Sequence, residues 1–72
     1  MEIRPVTIAR TTEITSASEK SFEDAIQRGI KRFSKTIEKV EGAWIKEQKV
    51  KVTDGEVSEY RVTMKVSFIL KG

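Results

Sequence analysis

The 72-residue sequence predicts an α+β fold in which three antiparallel strands and one long helix follow the order β-α-β-β. Two patterns predict the final strands: apolar and polar residues alternate along Tyr60–Leu70, and Asp54-Gly55 separates two β-rich runs. Apolar residues at every third or fourth position of Glu19–Val40 predict the helix. We therefore expect a single domain over residues 1–72, with the sheet wrapped around the helix.

The first predicted element is a strand over residues 3–13. Val6 and Ile8 alternate there with Thr7 and Ala9, as in a half-buried strand. The hydroxyl-rich segment that follows, Thr15–Ser18, predicts a turn whose last serine caps the helix.

The helix is predicted over Glu19–Val40, about 33 Å long at 1.5 Å per residue, with Gly42 as its stop signal. Its apolar stripe contains Phe22, Ile26, Ile30, Phe33, Ile37 and Val40. Gly29 lies inside this stripe and costs about 1 kcal/mol relative to Ala, so we expect a neighbouring backbone to come close there. Ser21–Asp24 resembles a capping box rather than a catalytic group.

The Asp54-Gly55 pair predicts a two-residue type I′ turn, which sets the register of the last two strands. Opposed residues in an antiparallel pair project to the same side of the sheet. Counting back from the turn places three pairs on the side away from the helix: Trp44 with Lys65, Lys46 with Thr63, and Gln48 with Arg61.

Val50 and Val52 conflict with this register, because it places them on the side of Trp44. Either a β-bulge near Glu47–Lys49 switches the faces, or another chain covers them. One helix covers only one face of a three-stranded sheet, and a core of this size is marginal alone. We therefore expect a homo-oligomer.

The composition argues against several functional classes. The chain has no cysteine and no histidine, which excludes disulfides and thiolate metal sites and argues against zinc or His-based catalysis. No activated nucleophile or base stands out, so we expect no enzyme. A net charge of +3, with interspersed signs, gives little reason to expect nucleic-acid binding. The absence of an apolar run of about 20 residues and of a signal peptide predicts a cytoplasmic protein without membrane contact.

Three segments of the chain resemble one family: the helical SFEDAIQRGIKRFSKTIEKV, the hairpin VKVTDGEVSEY and the closing strand YRVTMKVSFIL. Together they resemble the dodecins, small β-α-β-β proteins that assemble as hollow dodecamers. The closing strand is the most specific of the three, because an aromatic residue is followed by alternating apolar positions and a terminal Phe. The resemblance covers nearly the whole chain and implies a homododecamer.

The resemblance also implies a ligand. In flavin-binding dodecins, a tryptophan at the start of the second strand stacks on the isoalloxazine ring near a two-fold axis, and a third-strand glutamine hydrogen-bonds the ring edge. A gapless match places Gly42 at the tryptophan position and Arg61 at the glutamine position. Both differ, as in a dodecin-like branch without the usual flavin pair.

Trp44 lies two positions beyond Gly42, and a displacement of two keeps the same face of a strand. The candidate site for FMN or riboflavin therefore comprises Gly42, Trp44, Lys46, Gln48, Arg61 and Lys65. In this hypothesis the tryptophan stacks on the planar ligand, and the amide and guanidinium supply polar contacts.

Two alternatives remain open. Trp44 could instead fill a subunit interface, where aromatic residues are enriched. The assembly could also bind no flavin and serve a structural, metal-binding or anion-binding role. Two groups bear on that role: the carboxylates Glu47, Asp54, Glu56 and Glu59, and the basic helix residues Arg28, Lys31, Arg32, Lys35 and Lys39. The carboxylates lack the spacing of a calcium loop, so we expect no metal site, and such a basic helix side is most often solvated.

Overall fold

The computed structural model of the protein describes residues 8–70, which form three strands and one helix. Their order is β1 (Ala9–Ser18), α1 (Phe22–Ser34), β2 (Val40–Thr53) and β3 (Glu56–Ile69). The strands form one antiparallel sheet in the order β1-β3-β2, so β3 is central and the other two are edges. The predicted β-α-β-β fold class is confirmed.

The first strand lies further along the chain than predicted. The Thr15–Ser18 segment is not a turn but the end of β1, where it pairs with Tyr60–Thr63 of β3. Its hydroxyls find partners within the fold: Thr15 Oγ1 lies 3.2 Å from Thr63 Oγ1, and Ser18 Oγ accepts from the Lys20 backbone N–H. Strand pairing therefore outweighs the local turn preference of these residues. The predicted strand residue Val6 lies outside the described residues.

The helix begins at a different serine from the predicted one. The N-cap is Ser21, whose backbone is extended and whose Oγ accepts from the Asp24 N–H at 2.9 Å. Ser18 instead donates its hydroxyl to Asp24 Oδ2 at 2.5 Å, which fastens the first helical turn to the end of β1. The capping role predicted for Ser18 was wrong by three residues, while the cap at Ser21 has the predicted hydrogen bond to the third helical position.

The helix ends at Ser34, six residues before the predicted end at Val40. The backbone N–H of Lys35 bonds to carbonyls of the last turn, and Lys39 takes a left-handed φ of 57°. Val40 then pairs with Phe68 in the sheet, and the Lys39 carbonyl accepts from the Ile69 N–H. Val40 fitted the helical pattern of the sequence because its side chain packs against the same core as the helix. It does so from strand β2. Gly42 lies inside β2 and is not the helix stop.

The core lies between α1 and the inner side of β1 and β3. Ala25, Val62, Met64 and Val66 are fully buried, and partly buried apolar residues pack around them: Ile14, Phe22, Ile26, Ile30, Phe33 and Val40. Gly29 permits a close approach, as its position in the stripe predicted, but the atoms that come close belong to side chains and not to a neighbouring backbone. A Cβ at Gly29 would lie 2.8 Å from both Met64 Cε and Ser16 Cβ.

The hairpin turn has the predicted conformation. Thr53 pairs with Glu56, and φ is positive at both intervening residues, 52° at Asp54 and 78° at Gly55. Two positive φ values identify a type I′ turn, which asparagine, aspartate and glycine accept most readily.

We expect Gly29→Ala to destabilise the protein by about 1–2 kcal/mol. The added methyl group would overlap the Ser16 and Met64 side chains, and such overpacking exceeds the gain in helix propensity of about 1 kcal/mol. Urea denaturation at one fixed protein concentration measures the difference.

Gly42→Ala is the matched control, because no atom beyond the adjacent residues lies within 4 Å of its added Cβ. Equal stability of the two variants would show that the close approach at Gly29 is absent in solution.

Candidate functional site

The candidate site lies on the side of the sheet away from α1, which we call the outer face. Trp44 of β2 stands opposite Lys65 of β3, as predicted. The Lys65 Nζ is 5.9 Å from the centre of the Trp44 ring, within the range of a cation–π contact. The indole is 52% exposed, so much of its surface faces solvent in the single chain.

A β-bulge lies two residues after this tryptophan and contains a second lysine of the outer face. Ile45 pairs with Met64 and Glu47 with Thr63, so Lys46 is the extra residue on β2. Its Nζ donates to Glu13 Oε1 at 2.8 Å, which links the two edge strands across central β3. The hydrogen bond and the charge of Lys46 lower the pKa of Glu13, and the same contact raises the pKa of Lys46.

Two register shifts, one between Lys51 and Val52 and one at the Lys46 bulge, overturn two predicted cross-strand pairs. Gln48 pairs with Val62, which is buried beneath the helix, so its amide is on the inner side and not beside Trp44. Lys49 takes the position opposite Arg61 instead. Lys46 does not pair with Thr63, which faces Glu47, because Lys46 is the extra residue of the bulge. A bulge near Glu47–Lys49 was one of the two explanations for the conflict between the predicted register and the positions of Val50 and Val52. The observed bulge, at Lys46, lies one residue before that range.

The remaining predicted residues divide between two parts of the outer face. Gly42 is close to Trp44, two positions along the same strand, and stands opposite Ser67. Arg61 lies four positions before Lys65, about 13 Å along the strand, and pairs its Nε with Glu59. The hydrogen bond from Arg61 lowers the pKa of Glu59. The structure therefore brings Gly42, Trp44, Lys46 and Lys65 together, and leaves Arg61 further along the sheet.

The same bulge moves Val50 and Val52 to the inner side, where Ile45 and Val57 also lie and where α1 does not reach them. The helix packs against β1 and β3, and every residue of β2 after Val40 is exposed. An uncovered stripe results, with side chains between 37% and 59% exposed: Ile45, Val50, Val52 and Val57. The register counted from the turn placed Val50 and Val52 on the outer face, and a face-switching bulge was one of the two explanations offered for them; the structure places both on the inner side.

Neither a metal cluster nor a spanning helix is found in the part of the chain that the structure describes. Within residues 8–70, no group of three acidic side chains is close enough to hold a metal ion. No helix among these residues is long and apolar enough to cross a membrane.

Comparison with known proteins shows one family. A family model described as Dodecin matches residues 8–71, which is most of the chain. No curated protein matches the sequence significantly.

Several solved structures share the fold. The dodecin from Streptomyces davaonensis has 32% identity and a TM-score of 0.87, over 92% of this chain and 97% of that one. A variant of the Thermus thermophilus dodecin has 28% identity and a TM-score of 0.89, over 93% and 100%. A calcium dodecin from Mycobacterium tuberculosis, described as a calcium-chelating antigen with a novel calcium-binding site, has 25% identity and a TM-score of 0.77, over 89% and 91%.

We expect the Glu13 carboxyl to titrate below its ordinary pKa of 4.5, and Lys46→Gln to return it towards that value. Because the pKa is lowered in the folded state, the contact stabilises the protein at neutral pH. That contribution is lost as the pH falls through the lowered pKa. Carbon-detected NMR of labelled glutamate measures the titration.

Lys49→Gln removes the same charge from the same face without touching Glu13, and should leave the midpoint unchanged. A midpoint of 4.5 or higher in the unmodified protein would contradict the link between the two edge strands.

Proposed function

The chain belongs to the dodecin family, and from that membership we propose that it is a non-enzymatic, self-assembling protein that binds and stores a flavin, FMN or riboflavin. The assembly we propose is the hollow homododecamer of the family. The ligand site we propose is the outer face around Trp44, displaced by two residues from the usual tryptophan position. Sequestration of a planar ligand requires only binding, and the site contains no residue arranged for catalysis.

The observation that carries this proposal is an exposed indole with open space beside it. Gly42 occupies the family's tryptophan position, and a Cβ added there would have no atom within 4 Å apart from its chain neighbours. A planar ring could therefore lie against Trp44 without displacing another residue. Lys65 lies over the indole, and Lys46 lies two residues further along β2, where it binds Glu13; both amines can donate hydrogen bonds to carbonyl or phosphate oxygens.

A second copy of the site would raise the affinity. One stacked aromatic pair contributes about 0.5–1.5 kcal/mol beyond its buried area, which is too little for storage of a scarce ligand. Two copies of Trp44 that meet across a two-fold axis would enclose the ligand from both sides. Binding and assembly are therefore parts of the same proposal.

The inner stripe supports self-association independently of any ligand. The molecule extends over 63 × 22 × 14 Å, because the β2–β3 hairpin projects far beyond the helix. Ile45, Val50, Val52 and Val57 remain between 37% and 59% exposed within residues 8–70, because the helix does not cover them. A second copy of the chain would remove these apolar side chains from water at about 25 cal/mol per Å².

A second candidate function is a dodecin-type assembly that binds no flavin and serves a structural, metal-binding or anion-binding role. Gly42 and Arg61 favour it, because they replace both residues of the family's flavin pair. A calcium dodecin among the structural relatives is compatible with it. The two candidates differ in one measurable property, the binding of flavin.

We expect the protein to quench FMN fluorescence at low micromolar concentration, and Trp44→Ala to weaken that binding by at least about tenfold. Loss of stacking in two facing copies would account for this change. Lys51→Ala is the control, because it lies on the same face near the turn, away from the indole. Unquenched flavin, or equal binding by both variants, would rule out the Trp44 site and favour the second candidate.

We expect a native mass of about 98 kDa, twelve times the 8.2 kDa chain. Val52→Asp should reduce this mass, because a charge would be buried in the apolar contact. Thr53→Asp introduces the same charge at the next residue, whose side chain lies on the opposite face of the sheet, and should leave the mass unchanged. Native mass spectrometry distinguishes the species, and circular dichroism verifies that both variants fold. An 8 kDa species in the unmodified protein would refute self-assembly.

A further inference from the structure

A groove runs along the seam between β1 and α1, on the inner side of the sheet and thus opposite the Trp44 site. Its volume is about 290 Å³. The residues that line it are Ile14, Thr15, Ser16, Arg28, Gly29, Arg32 and Phe33. This volume is close to the lower limit for small-molecule sites, which are about 300–1,000 Å³.

The groove exists because of two features of the fold. β1 is an edge strand, so no further strand of the described chain continues the sheet over the seam. Gly29 lets the helix approach the strand so closely that a Cβ would lie 2.8 Å from Ser16 Cβ. Larger side chains on either side of Gly29 then rise above this point of contact and form the walls.

Two arginines provide the charge of the groove. Arg28 and Arg32 are one helical turn apart, so their side chains extend from the same side of α1. Arg28 Nε donates to Asp24 Oδ1 at 3.2 Å, which leaves its terminal nitrogens available. Within residues 8–70, Arg32 has no ion-pair partner, and no acidic side chain lines the groove.

The carboxylate of Asp24 orients the first guanidinium from outside the groove. It accepts from Ser18 Oγ at 2.5 Å, and this hydrogen bond, followed by the charge of Arg28, lowers the pKa of Asp24. The carboxylate binds the Arg28 guanidinium, which borders both this groove and the neighbouring pocket around Ser18 and Asp24.

The apolar part of the lining is suited to a different portion of a ligand. Ile14 and Phe33 pack against the core and remain partly exposed. An apolar surface beside two guanidinium groups matches a molecule that has an apolar body and one anionic end. Guanidinium forks bind carboxylate and phosphate oxygens in a bidentate manner.

We propose that the β1–α1 groove binds a small amphiphilic anion, whose carboxylate or phosphate head is held by Arg28 and Arg32 and whose apolar body lies on Ile14 and Phe33. This site is separate from the flavin site, because the sheet lies between them. It requires neither Trp44 nor a flavin.

Octanoate and octyl phosphate are suitable probes, because neither has a ring that could stack on Trp44. Isothermal titration calorimetry with the assembled protein should detect binding of at least one of them, and the difference between them identifies the preferred head group. Octanol, which lacks the charge, should bind at least about tenfold more weakly. Trp44→Ala should bind the probes as the unmodified protein does.

Arg32→Gln should weaken probe binding by about tenfold, because it removes the guanidinium that has no other described partner. Lys31→Gln is the matched control: it removes the same charge from the adjacent residue, which does not line the groove, and should change the affinity by less than about twofold. If Arg32→Gln alters the native mass, Arg28→Gln serves as the second test.

Absence of binding by both probes would overturn the proposal, and so would an equal loss in the Lys31 and Arg32 variants. Equal binding of octanol would overturn it too, since the arginines would then have no role. Whether or not the protein binds flavin does not affect the interpretation of these titrations. The proposals for the Trp44 site and for the β1–α1 groove can therefore be refuted independently.

Discussion

The structure depends on a mismatch of lengths. A helix of 13 residues is about 20 Å long, whereas β2 and β3 have 14 residues each and extend about 46 Å. One such helix cannot cover the sheet, so the buried core is confined to the region where α1 crosses β1 and β3. The hairpin beyond this region leaves apolar side chains exposed to solvent. Self-association would remove them from water. The small core and the exposed apolar surface that favours self-association thus have one cause, the short helix.

The bulge at Lys46 determines which residues meet on each side of the projecting hairpin. It separates Trp44, on the outer face, from Val50 and Val52, on the inner one. A ladder without the bulge would have placed Val50 and Val52 on the same face as the indole and the lysines. With the bulge, a half-exposed aromatic ring shares its face with lysines, while the valines form a surface suited to protein contacts. The extra residue therefore allows two different kinds of contact on one hairpin.

Features set by neighbouring residues could be predicted from the sequence, and features set by distant pairing could not. The Asp54-Gly55 turn follows from local turn geometry, and Gly29 signals its own close approach. The Trp44–Lys65 pair agrees with a count from the turn because the register shift between Lys51 and Val52 is offset by the one between Ile45 and Glu47. The end of the helix is different, because Val40 leaves the helical pattern only when Phe68 is available as a strand partner. Gln48 was predicted on the wrong face because the extra residue of a bulge is not marked by any particular sequence. Its only sign was the placement of Val50 and Val52 on the outer face in the predicted register. The Glu13 contact was missed since it joins residues 33 apart in sequence.

The type I′ turn also has a consequence for the order in which the chain folds. β2 and β3 close a two-residue loop, whereas Ser18 of β1 must find Tyr60 across more than forty residues. Loop-closure entropy therefore favours the hairpin as the first structure, with β1 and the helix docking later. Pulsed hydrogen exchange during refolding should protect the hairpin amides before those of β1. Until the helix docks, the hairpin exposes both of its faces. At high chain concentration, assembly must therefore be faster than aggregation of this early species.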